Sequence, residues 1–183
     1  MKNTLLLLLL TAACALASGC TNTESGYEQY DRLSVGDAIP SFDLGGLEDG
    51  EPVAISSADF AGRQGLIVFF SYSCGDCHRE MPKIEQVWNM LGGDPDVRIA
   101  VVSRDGSAED VADYWASTDD RYGKTPFTMP YYFDPGRELY GAFAEQGVPR
   151  IYVIDRSGVI REIFRERLPL DAAELAALVK SME

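Results

Sequence analysis

Cys74 and Cys77 stand two residues apart in Cys74-Gly75-Asp76-Cys77, after an apolar run and at the start of a helical pattern. That spacing lets both sulfurs meet on one turn as a disulfide without unwinding a helix. Unpaired N–H groups and the positive dipole end of a helix start favour a thiolate at Cys74. Cys74 is then the more exposed, attacking sulfur. Cys77, one turn deeper, is the resolving sulfur that releases a mixed disulfide. A purely structural bridge would close too short a loop to restrain the unfolded chain much. Zinc would need further Cys or His ligands, and the chain has one histidine, His78. The chemistry expected is thiol–disulfide exchange. It needs no metal and no bound cofactor beyond the redox-active Cys74–Cys77 pair.

Several neighbours bear on that pair. Asp76, as an anion between the cysteines, should oppose a Cys74 thiolate and raise its pKa, which favours reducing work. His78 could offset this when protonated, but reads first as a surface histidine. Pro82 lacks an N–H and should kink the helix, leaving an upstream carbonyl unpaired. Glu80, three residues past Cys77, shares its helix face. It is either a solvated carboxylate or a partly buried acid that exchanges protons.

The pair needs a rigid platform. Residues 65–70 are continuously apolar, as in a strand buried on both faces, and a helix is predicted over 74–91. Residues 97–102 read as a second buried strand, and Ser107–Asp110 as a capping box opening a helix through Ala116. A short strand over 130–133 and a short helix over 137–143 follow. Then come a hairpin over 151–164 and a final helix capped at Asp171. Before them, residues 41–44 and 52–55 flank an acidic turn and read as strand, turn and strand. Strands alternating with helices, then a hairpin, indicate an α/β domain with a mixed sheet.

The chain starts with Met1-Lys2-Asn3, an unbroken leucine run over 5–10, and small residues leading to Gly19-Cys20. Residues 1–19 read as a secretory signal peptide, Cys20 as the lipidated first residue, 20–32 as a polar tether, and 33–183 as the working domain. Cys14 would be discarded with the leader. An extracytoplasmic address permits a disulfide. Against 16 Lys and Arg stand 29 Asp and Glu, a net charge of −13, and loss of Lys2 with the leader makes it −14. Nucleic acid is therefore not an expected partner, since phosphate binding needs a clustered basic surface.

Phe69-Phe70-Ser71-Tyr72-Ser73-Cys74-Gly75-Asp76-Cys77-His78-Arg79-Glu80-Met81-Pro82 resembles the active-site segment of thioredoxin-like proteins. More specifically it resembles the membrane-tethered TlpA/ResA family of thiol-disulfide oxidoreductases. Val35-Gly36-Asp37 through Leu44 and Gly147-Val148-Pro149 through Gly158 extend the likeness. It implies a thioredoxin-like fold, with a central mixed β-sheet flanked by helices and an N-terminal β-hairpin extension. It implies that Glu80 exchanges protons with Cys77 or the substrate thiol, and that Gly75, Asp76 and Pro82 tune the redox pair. It also implies a cis Pro149, beside which Val148 would pair with an extended substrate. Protein disulfides would be the substrates, with apocytochrome c as one candidate that nothing selects, and a membrane thiol–disulfide donor would return electrons. The family's tryptophan before the first cysteine is replaced by Ser73, so any aromatic shield must come from Tyr72.

Two rival readings share the fold. Peroxiredoxins carry a proline seven residues before the reactive cysteine, where this chain has Ile67, although Ser71 fits their hydroxyl position. Copper-handling thioredoxin-like lipoproteins usually show a wider cysteine spacing and a distant histidine.

Overall fold

The computed structural model describes residues 26–183. The leader, Cys14 and the lipidation candidate Cys20 lie outside them. Among the described residues, no helix is long and apolar enough to cross a membrane.

Strand β3 (Gln64–Phe70) is buried along its whole length. The cause is its central place. It pairs in parallel with β4 (Val97–Ser103) and antiparallel with β6 (Arg150–Ile154). Around it the sheet runs β2 (Glu51–Ser56), β1 (Asp43–Glu48), β5 (Tyr131–Phe133), β4, β3, β6 and β7 (Ile160–Arg165). Successive side chains of β3 point to opposite faces. Phe69 packs on Tyr140 and Phe143 of α3 (Glu138–Phe143). Phe70 meets Tyr114 and Trp115 of α2 (Ala108–Ala116) on the other face. The redox helix α1 (Gly75–Leu91) shares that second face, with His78 stacked on Tyr114 and α4 (Ala172–Lys180) packed alongside. This is the expected thioredoxin-like sheet with helices on both faces.

The N-terminal hairpin is β1–β2, joined to the main sheet through β1–β5 pairing. It starts and ends later than the apolar spacing predicts. Asp49 and Gly50 both take positive φ, the requirement of a two-residue hairpin turn, so pairing continues to Glu48 and Glu51. At Gly46 an added Cβ would lie 2.1 Å from the Tyr131 carbonyl, so only glycine lets β1 approach β5. The capping boxes expected at Ser107 and Asp171 are both formed.

The expected tether boundary at Arg32 needs correction. Residues 27–32 are built into the domain. Asp31 bridges Ala144, and Glu145 N–H donates to Tyr30 O at 2.8 Å. The reason is Arg150, fully buried on β6. Its guanidinium pairs with Asp31 through Nη1 and donates from Nη2 to Tyr27 O at 3.0 Å and Gln146 O at 2.8 Å. Asp31 also accepts from Arg165 Nε at 2.9 Å. A buried guanidinium needs an anion, and the segment before the expected boundary supplies it. Removing one partner of a buried pair leaves the other uncompensated. Asp31→Asn should therefore lower unfolding stability by about 3 kcal/mol, measured by chemical denaturation, whereas a similar loss at exposed Glu145 is not expected.

Candidate active site

Chain geometry at the end of β3 sets the site. Ser71 is buried, and its carbonyl accepts from Cys74 N–H at 3.2 Å, which turns the chain into α1 with Cys74 as N-cap. Cys74 and Cys77 are both free thiols, the first half-buried and the second wholly buried. The hydrogen bond from the Cys77 thiol, ahead of the first-turn N–H groups of Cys77 and Asp76, pulls the Cys74 pKa down to about 6. Burial pushes the Cys77 thiol well above its ordinary range, and the neighbouring Cys74 sulfur adds to this. One sulfur is thus ionised and reachable near neutrality, while the other is protonated and sealed.

The expected effect of Asp76 is present in sign and small in rank. Its charge does oppose the Cys74 thiolate, but as the last of the main causes. Arg79 Nη2 holds the Asp76 carboxylate at 2.6 Å and blunts it. Gly75 is exposed, and a Cβ there would meet nothing within 4 Å, so the structure gives no reason for glycine at that place. The helix runs on through Pro82 to Leu91. Pro82 can offer no donor to the His78 carbonyl one turn back.

Glu80 is not the solvated carboxylate; it is 3 % exposed. Nor is it an acid left to desolvation alone. Arg79 Nε donates to Oε1 at 3.0 Å, and Lys83 Nζ stands 2.8 Å from Oε2. The Lys83 ammonium is directed at Leu168 O, so Oε2 is electrostatically paired without receiving a hydrogen bond.

The Val148–Pro149 bond is cis. Val148 O lies 3.3 Å from Cys74 Sγ, so a protonated Cys74 can donate to it. Pro149 O is taken by Glu166 N–H at 2.9 Å, and among the described residues nothing accepts from Val148 N–H. Tyr72 is half-buried, its ring against Gly106, where an added Cβ would come within 2.6 Å of it. It therefore walls the site beside the cysteines.

Three residues matter more than their sequence context suggests. His78 is not a free surface side chain. Its ring stacks on Tyr114 at 4.7 Å, and Nε2 lies 2.6 Å from Tyr72 O, so Nε2 carries the proton. Tyr114 is buried with its hydroxyl unpartnered among the described residues, and burial raises its pKa. Arg104 follows β4 and lies over the Tyr140 ring, and its charge weakly opposes the rise of the Cys77 pKa. The available signal was its position at the carboxyl end of a parallel strand, where α/β sheets gather their sites.

Known proteins resemble this arrangement. Residues 34–179 match the Redoxin family. The thiol-disulfide oxidoreductase ResA of Oceanobacillus iheyensis is 30% identical over 170 residues, covering 92% of this chain and 82% of that protein. A putative protein disulfide isomerase from Bacteroides thetaiotaomicron superposes with a TM-score of 0.66 at 27% identity, covering 82% of this chain and 89% of that one. A putative thiol:disulfide interchange protein DsbE from Chlorobium tepidum shares the fold, with a TM-score of 0.61, 24% identity, and coverage of 80% and 96%.

Asp76→Asn should move the Cys74 pKa further below about 6, by up to about one unit, with the two-electron potential rising about 30 mV per unit. The pH profile of iodoacetamide labelling at Cys74 checks the first. Equilibration with a glutathione buffer checks the second, and an unchanged or lower potential contradicts the charge argument. The asymmetry of two thiols one turn apart, set beside these relatives, leads to one conclusion: the chain belongs to the Redoxin family and is a TlpA/ResA-like thiol-disulfide oxidoreductase.

Proposed function

We propose that this protein reduces or isomerises protein disulfides outside the cytoplasm while held to a membrane by lipid on Cys20. The observation that carries the reading is the split between the sulfurs, Cys74 pulled down to about 6 and half-buried, Cys77 pushed up and sealed. The Cys74 thiolate attacks one sulfur of a client disulfide. A mixed disulfide forms and the other client sulfur leaves as thiolate. Cys77 then loses its proton and attacks Cys74 Sγ, and the client departs as a dithiol while the enzyme becomes the Cys74–Cys77 disulfide. Electrons return from a second dithiol, here a membrane thiol–disulfide donor.

The client backbone would lie against Val148, whose N–H has no acceptor among the described residues and could pair with an extended segment. Tyr72 would border the same strand of substrate. Glu80, buried one turn past Cys77, would pass protons during exchange. Apocytochrome c is one client of suitable chemistry. The oxidoreductase names of the relatives support the reaction class, and the Gly19-Cys20 leader supports the address.

Cys77→Ser should freeze covalent client adducts at Cys74 that reductant releases and that Cys74→Ser/Cys77→Ser lacks; gel shifts and peptide mapping read this, and an empty trap overturns the proposal. Cys20→Ser should move the protein from the membrane pellet to the soluble fraction, with Cys74 reactivity unchanged.

A further inference from the structure

The turn that carries the chain from β3 into α1 is closed by Cys74 N–H on Ser71 O at 3.2 Å, with Tyr72 and Ser73 at its two central places. The peptide unit between two such residues has two orientations, related by a flip, and the closing bond is compatible with both. Here each edge of that unit is taken. Ser73 N–H points to the hydroxyl of buried Ser71 at 3.4 Å, and the Tyr72 carbonyl accepts from His78 Nε2 at 2.6 Å. Among the described residues no other donor reaches Tyr72 O. His78 also donates its backbone N–H to Cys74 O at 3.0 Å, so one residue holds the carbonyls that bracket the attacking cysteine. The ring is itself fixed. It leans toward the helix N-terminus, as helical side chains do, and stacks on Tyr114 of α2 at 4.7 Å. Nδ1 faces Asp119 Oδ2 at 4.0 Å, too far for a hydrogen bond, and Asp119 is held instead by Arg121 Nη2 at 2.8 Å. The bond to Tyr72 O is therefore the one hydrogen bond that the imidazole makes among the described residues.

We propose that His78 is a positioning residue for client binding, pinning the Tyr72–Ser73 peptide so that the Tyr72 wall and the Cys74 turn are set before an extended client arrives. The inference rests on the client groove beside Val148 and Tyr72 proposed above. Its physical ground is preorganisation. Ordering a loop during association weakens binding by the cost of that ordering, and a loop ordered beforehand avoids it. Without the imidazole, Tyr72 O would lose its partner in the protein, and the peptide would be set only as the client packs on it. Ser73, whose side chain is a short hydroxyl bonded to Ser71, brings no ring of its own to the entrance, so the Tyr72 wall carries the contact. Cys74 would keep its closing bond to Ser71 O and its place at the start of α1. The chief groups that favour its thiolate are the Cys77 thiol and the N–H groups of Cys77 and Asp76. Loss of the imidazole therefore falls on client binding and spares the sulfur.

The test follows single turnovers of the reduced full chain with a disulfide-bonded extended peptide in excess, which give a half-saturating concentration and a limiting rate. The chromogenic disulfide of thionitrobenzoate, too small to span the groove, is the control. His78→Phe keeps a ring against Tyr114 and loses the donor. It should raise the half-saturating peptide concentration roughly three- to tenfold, the worth of one hydrogen bond, and leave the limiting rate and the thionitrobenzoate rate unchanged. The midpoint of iodoacetamide labelling at Cys74 should stay near 6. His78→Gln, whose amide donates at a similar reach, should restore most of the peptide affinity, and His78→Leu serves if the phenylalanine variant does not fold. A half-saturating concentration unchanged without the donor, an equal loss on both disulfides, or a glutamine variant as weak as the phenylalanine one overturns the inference. A wild-type rate that never saturates with peptide would instead overturn the client-groove reading, and a wild-type protein that reduces neither disulfide would overturn the exchange reading.

Discussion

The hydrogen bond from the buried Cys77 thiol to the Cys74 sulfur contributes most to holding Cys74 ionised near neutrality. It exists because two sulfurs separated by two residues of one helical turn occupy different solvents. Strand β3 brings the chain to the site already stripped of water on both faces, and α1 begins immediately after it. The helix start leaves Cys74 at the rim, while the next turn drives Cys77 against the strand it has just left. Burial then pushes the Cys77 pKa up, while the Cys77 thiol and the first-turn N–H groups pull the Cys74 pKa down against its own burial penalty. Without the central placement of β3, both thiols would sit in similar surroundings, and their pKa values would not be driven apart.

The opposing wall depends on a different buried charge. Arg150 follows directly after Pro149 and is fully enclosed, so its guanidinium must be satisfied inside the protein. It holds the carbonyls of Gln146 and Gly147 on one side and Asp31 and Tyr27 on the other. The loop that presents Val148 O to Cys74 is thus tied to the first described segment of the chain. Gly147, with φ of 90°, permits this, because a Cβ there would strike the Tyr27 ring at 2.4 Å. Packing at the N-terminal segment and shape at the active site are therefore one problem, solved by one arginine.

Net charge conceals the local electrostatics. The chain carries −13 overall, yet cations gather around the thiols. Arg79 neutralises Asp76 and reaches Glu80, Lys83 flanks Glu80, and the Arg104 charge weakly opposes the rise of the Cys77 pKa. These side chains lie on α1 and at the end of β4, so their effect on the site depends on which turn and which strand end they occupy. Composition averages over such placement. Surface acids far from the site are screened by water and salt, whereas charges at partly buried positions keep most of their influence.

Local signals carried much of the fold. The unbroken apolar run of β3, the capping boxes at Ser107 and Asp171, and the cysteine spacing are each readable because they arise among residues close in sequence. The same holds for the placement of Cys74 and Cys77 one turn apart at a helix start, the first half-buried and the second buried. Contacts between distant residues were hidden. Nothing local to Asp31 says that it meets Arg150, 119 positions later, and nothing local to Arg104 says that it lies over the Tyr140 ring. His78 reads as a surface side chain until α2 brings Tyr114 over its ring. The sequence by itself determined which residues could exchange electrons, since that follows from atom type and helical spacing. Tertiary structure decided which thiol ionises, how far Asp76 and Glu80 are neutralised, and what holds the loop before β6 against Cys74. Those outcomes depend on burial and on charges brought together only when the sheet closes around β3.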